Sequence, residues 1–119
     1  GRVLLVGDAA HVNNPLGGMG MNFGIHDAAS VSNQLGAVFA GGDPEALLSL
    51  YDRQRRHVAH AFLQTMSIQN KALLEERDPA VRAERLEEMR SIASDPQRAR
   101  AHLMRTSMLE SVRAAASIA

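Results

Sequence analysis

The chain has 119 residues, enough for one small domain, and 45% of them are hydrophobic, which excludes a disordered segment. Its formal net charge is zero, with 13 basic and 13 acidic residues, so the basic excess of a nucleic-acid binder is missing. Cysteine is absent, which excludes a disulfide framework and thiolate chemistry and fits a reducing, cytoplasmic setting. Aromatic residues make up only 3% and tryptophan is absent, so Leu, Ala, Met and Val must fill the core. No apolar run approaches the roughly 20 residues of a spanning helix, and no signal segment is read at the start.

The first element in chain order is "RVLLV", Arg2 to Val6, a short apolar run ending at Gly7-Asp8. It reads as a buried strand of a parallel sheet. A lone strand leaves backbone unpaired on both edges, and no partner strand follows in this sequence. With Gly1 rather than Met at its head, the chain is expected to be a fragment of a longer protein. The loop "GDAAHVNNPLGG" comes next, dense in Gly, Asn and Pro. From about Met19 helical spacing takes over, with Phe23, Ala28, Val31, Leu35 and Val38 on the stripe, and Gly41-Gly42 stops that helix.

Three later helices are signalled by Asp43-Pro44, Asp78-Pro79 and Asp95-Pro96, each an N-cap carboxylate before a proline at the first helical position. The first is expected from Pro44 to about Glu76, with Leu47, Tyr51, Val58 and Phe62 on its stripe. The second spans Pro79 to Ala93 with Leu86, Met89 and Ile92. The third runs from Pro96 to near the end with Leu103, Leu109, Val112 and Ala116. The chain is therefore mostly α: one N-terminal strand and a glycine loop, then about four helices. Residues 1–42 form one part and the helical region 43–119 the other.

The glycine loop lies between a strand end and a helix start, where α/β folds bind phosphates and planar cofactors. Glycine lets backbone approach a ligand closely, and a helix start offers unpaired N–H groups and a positive dipole end. A phosphate loop would need a Gly-Lys-Ser/Thr sequence, and the loop has no lysine. Gly18, Gly20 and Gly24 are spaced Gly-x-Gly-x-x-x-Gly, one residue off the dinucleotide fingerprint. Other chemistry is thinly supported. His57 and His60 lie three apart on a helix, but no third ligand stands nearby, so no metal site is expected. His11 reads as a loop residue that fixes backbone, and His26 and Asp27 as local capping or pairing groups. Asp8 alone could be a simple turn residue.

Taken whole, "GRVLLVGDAAHVNNPLGGMGMNFGIHDA" resembles the second FAD-binding motif of the single-component flavoprotein aromatic monooxygenases, the para-hydroxybenzoate hydroxylase-like family. The Gly-Asp-Ala-Ala-His core stands at Gly7 to His11, and the proline-glycine segment at Pro15, Gly17, Gly18, Gly20 and Asn22. The helix carrying "YDRQRRHVA" also resembles the family's long C-terminal helix, with His57 in place of a common proline, so a straighter helix is expected. The resemblance implies an α/β parent fold and FAD as cofactor, with NADH or NADPH as reductant. It further implies O2 and an aromatic small molecule as substrates. Gly7, Asp8, Pro15, Gly17, Gly18, Gly20, Met21 and Asn22 would bind FAD. Within that set Asp8 would accept from the ribityl hydroxyls, and backbone N–H groups around Gly20, Met21 and Asn22 would meet the flavin pyrimidine edge. Pro15 would lie near the site of oxygen reaction, and no catalytic residue is assigned beyond it. The family's N-terminal ADP-binding unit and substrate-covering sheet are not in this sequence, so the isolated chain is expected to be inactive. The alternative is a non-catalytic helical interaction module, or a remnant that does not bind FAD alone.

Overall fold

The computed structural model describes residues 3–119. Seven α-helices occur among them: α1 (Asp8–His11), α2 (Met19–Phe39), α3 (Pro44–Val58), α4 (Thr65–Glu75), α5 (Pro79–Ser94), α6 (Pro96–Thr106) and α7 (Leu109–Ala116). A π-helical turn, Ala59–Gln64, joins α3 to α4 without a break.

The three aspartate caps form as expected. Asp43 accepts from the Glu45 N–H, Asp78 from Ala80, and Asp95 from both Gln97 and Arg98, each ahead of a proline at the helix start. These short bonds satisfy N–H groups that the first helical turn leaves unpaired.

The expected strand is not observed. Val3 to Val6 belong to no strand or helix, and no strand occurs among the described residues; Arg2, the first residue of the expected strand, lies outside them. A strand needs the N–H and C=O groups of a neighbouring strand, and the described residues supply none. The Leu5 carbonyl is instead taken by the Tyr51 hydroxyl at 2.6 Å. Asp8, expected at a strand end, starts the short helix α1. The last helix is also divided. Met108, at φ 63, turns the chain between α6 and α7.

α2 packs on α3 and on the π turn, α7 returns to α3, and α6 lies between α5 and α7. The core is small: Phe23, Val58, Leu63 and Met108, with Met19, Phe62 and Ala115 against them. The side chain buried in the π turn is Leu63, one residue beyond the expected Phe62, because the wide turn delays the inward face. The helix carrying His57, expected to run straight, stays regular only through Val58 before the π turn. The stripes of the last helices are largely outside: Leu86 is 53% and Leu103 63% exposed. The chain is elongated, with extents of 58 × 29 × 17 Å and a radius of gyration of 17.4 Å, against the ~13–14 Å of a rounded domain of this length.

Candidate functional site

The site begins at the uncapped start of α2. Gly18 stands at the N-cap position with φ 66, a left-handed conformation that a side chain would strain. Its N–H is taken by the Pro15 carbonyl at 3.1 Å, closing a tight turn. It has no side chain to cap the N–H groups that follow, and no side-chain cap bond is made. A 21-residue helix therefore opens with free donors and the positive end of its dipole.

Polar groups converge on that first turn. A Cβ on Gly20 would lie 2.7 Å from Asn13 Oδ1 and 3.6 Å from Asp8 Oδ1. Glycine at position 20 thus makes room for the Asn13 carboxamide, with the Asp8 carboxylate beside it. Asn13 Nδ2 is buried and has no hydrogen-bond partner among the described residues. A buried amide donor without an acceptor is costly in a closed structure, and a ligand acceptor would relieve it. Asn22 donates to the Gly18 carbonyl at 3.0 Å, and Asn14 accepts from the Leu16 N–H at 3.0 Å, so the loop ties itself together. The Asn70 amide of α4 reaches the Leu16 carbonyl at 3.3 Å from outside. Pro15, Gly17 and Met21 are exposed.

Behind the loop lies a charged cluster that sequence reasoning did not find. Asp27 is fully buried. Its Oδ1 accepts from Arg55 Nε at 2.5 Å, and its Oδ2 accepts from the Gly7 N–H at 3.0 Å and from His11 Nε2 at 2.5 Å. Arg55 Nη2 reaches the Phe23 carbonyl at 3.5 Å. The two backbones meet closely here, since a Cβ on Gly24 would sit 3.3 Å from Gly7 Cα. The signal was available: Phe23, Asp27 and Val31 recur every four residues, and Arg55 falls between Tyr51 and Val58 on the inward face of α3. A charge in phase with a buried stripe needs a buried partner. Burial, then the nearby Asp27 carboxylate, pushes the Tyr51 phenol above its ordinary pKa, while the Arg55 guanidinium acts the other way.

A groove of about 670 Å³ runs beside the N-terminal segment, lined by Val3, Leu5, His11, Tyr51, Asp52 and Arg55 among others. None of the loop glycines lines it, so the donor-rich face of α2 and this groove are separate features. His57 and His60 are exposed, and no group of three or more metal-ligating side chains occurs among the described residues. No helix among them is long and apolar enough to cross a membrane.

Three named relatives are similar over part of this chain. The 12-dehydrotetracycline 5-monooxygenase/anhydrotetracycline 6-monooxygenase of Streptomyces rimosus is 44% identical over 79 residues, covering 66% of this chain and 15% of the relative. Para-nitrophenol 4-monooxygenase of Pseudomonas sp. strain WBC-3 is 40% identical over 82 residues, 69% of this chain and 20% of the relative. A putative polyketide hydroxylase of Streptomyces coelicolor is 52% identical over 61 residues, 51% of this chain and 10% of the relative. The chain thus spans a fifth or less of the length of these relatives. No solved structure matches. Residues 1–66, more than half of the chain, match the family described as FAD binding domain. That stretch holds the Gly7-Asp8 turn, the glycine loop, the open start of α2 and the buried Asp27–Arg55 pair, and by it the chain belongs to the FAD binding domain family.

Proposed function

We propose that this chain forms the flavin-facing part of an FAD-dependent monooxygenase that hydroxylates an aromatic compound. The observation that carries the reading is the uncapped N-terminus of α2, with Asp8 and the unpartnered Asn13 amide at its mouth. Free N–H groups and a helix dipole suit an electron-rich ring edge, and they suit it more when that edge gains negative charge. An ionised carboxylate is an acceptor only, so Asp8 suits a row of ribityl hydroxyls. Gly18 keeps a side chain off the ring, Gly20 leaves room for the Asn13 carboxamide and Gly17 for the Asn70 amide, while Met21 and Asn22 present the backbone behind the ring and Gly7 turns Asp8 toward it. Pro15 stiffens the loop where oxygen would approach.

When bound, FAD would accept electrons from NADH or NADPH and activate O2 toward the aromatic ring. The relatives' names include tetracycline, para-nitrophenol and polyketide compounds, which supports an aromatic substrate and leaves its identity open. In this reading residues 1–42 carry the cofactor face and residues 43–119 the helical buttress. Regions outside this chain would hold the ADP half of FAD and the substrate, and the whole would work in the cytoplasm. A second reading, a helical interaction module, draws on the exposed Leu73, Leu74, Leu86 and Met89.

Asp8→Ala in the full-length protein tests the first reading. Loss of a hydrogen bond to a charged acceptor should weaken FAD binding by about 1.5–3 kcal/mol, roughly 10- to 150-fold in Kd. Flavin fluorescence titration measures it. An unchanged Kd would remove Asp8 from the site, and no FAD binding by the unmutated protein would favour the interaction module.

A further inference from the structure

We infer that Asp27 is a positioning residue for the cofactor loop: it grips both ends of α1 and so fixes the direction in which Asp8 is presented. The inference rests on the FAD reading above for its ligand, but its geometry stands by itself. α1 has four residues, too few to hold a helical shape unaided. Its internal closure is two bonds, from the N–H groups of Ala10 and His11 to the Gly7 carbonyl at 2.8 and 3.0 Å. Among the described residues, the hydrogen bonds that tie it to α2 run through one oxygen. Asp27 Oδ2 takes the Gly7 N–H just before the helix and the His11 ring at its last residue. Asp8 lies between these anchor points. Arg55 Nε holds the other oxygen, which supplies counter-charge and fixes the rotation of the carboxylate.

The arrangement asks for more than a buried ion pair. For stability alone an apolar pair of similar volume would serve as well or better, since desolvating two charges offsets much of their attraction. An apolar pair, however, gives the Gly7 N–H no acceptor. At Gly7 the backbone also lies against Gly24, so the turn has little room to settle elsewhere without moving α2. Holding the turn and stabilising the fold are therefore separable by substitution.

Two double variants of the full-length protein separate them. Asp27→Leu with Arg55→Met removes both charges and every acceptor. Asp27→Asn with Arg55→Gln removes the charges but keeps a carbonyl oxygen for Gly7. Melting temperature, FAD Kd and the amide exchange rate of Gly7 are read on each. The apolar pair should still fold, bind FAD at least about tenfold more weakly, and exchange the Gly7 amide at least about tenfold faster. The amide pair should recover most of both losses. FAD affinity and Gly7 exchange both unchanged in the apolar pair would overturn the inference, as would equal loss in the two double variants. If the apolar pair does not fold, His11→Leu replaces it: with one anchor gone, FAD affinity and Gly7 protection should fall together, and no change in either would refute the role. Failure of the unmutated protein to bind FAD would refute the functional reading instead, and Gly7 exchange alone would then decide whether Asp27 holds the turn.

Discussion

Truncating Phe23 to alanine asks where the stability of this elongated chain resides. Phe23 is 1% exposed and meets Val58 of α3, Leu63 of the π turn and Met108 at the head of α7. The substitution opens a void where three elements converge, and a buried Phe→Ala change costs about 3–5 kcal/mol. At ~0.05–0.15 kcal/mol per residue, a chain of 119 residues has a total stability of about 6–18 kcal/mol. Few aromatic residues and a drawn-out shape place this chain near the low end, so half or more would be lost. An unfolding entropy of about 2.1 cal/mol/K per residue then converts 3–5 kcal/mol into a fall of roughly 12–20 °C in Tm. Urea and thermal unfolding followed by circular dichroism would measure both. Leu86→Ala, at a half-exposed position on α5, is the control and should stay within about 0.5 kcal/mol. A Phe23→Ala cost below about 1 kcal/mol, or one matched by Leu86→Ala, would refute the assignment of the core.

Tyr51 is the only tyrosine and tryptophan is absent, so tyrosinate absorbance reports one group. Burial and Asp27 raise its pKa above the ordinary 10.0, so its contribution to stability is fully present below that pH and is lost as pH rises through the higher folded value; a folded midpoint at or below that of the urea-unfolded chain would contradict this. Gly20→Val, in the flavin-loaded full-length protein, would drive a side chain into Asn13 and Asp8 and push the ring from the helix end. FAD affinity should fall, and the reduction potential should drop by the equivalent of about 1 kcal/mol; an unchanged potential would remove the dipole from the account.

Local chemistry was legible in the sequence. The aspartate–proline pairs set three helix starts because a cap needs only residues within one turn. The loop was legible because Gly18 and Gly20 carry a backbone requirement in their identity. Long-range pairing was not. Arg2 to Val6 has the composition of a strand, yet strand formation depends on a pairing neighbour, and no strand occurs among the described residues. Leu86, Met89 and Ile92 repeat every three residues along α5, but periodicity states which residues share a face and not what covers it. Asp27 read as a local capping group because its partners are 16, 20 and 28 residues away. Its place in the Phe23–Val31 stripe was the clue to burial, and the matching phase of Arg55 was the clue to its partner.

Along α3 the inward residues Tyr51, Arg55 and Val58 follow at intervals of four and three, as an α-helix requires. Leu63 follows after five. At about 100° per residue, five α-helical steps would aim it roughly 140° away from Val58. The π turn absorbs that excess, so Leu63, Met66 and Ser67 still face inward and Asn70 still reaches the Leu16 carbonyl. The segment works as a phase corrector between two helices. Deleting one residue within 59–64 would remove the excess itself: the turn could close as ordinary α-helix and α4 would keep its face toward the loop. Deleting two would overshoot, rotating α4 as one block by about 100°. The Asp27–Arg55 pair, upstream of either deletion, would keep its bonds, while in the second the Asn70 amide would leave the glycine loop. How firmly that loop is held therefore depends on the count of residues in a turn that carries none of the loop's own chemistry.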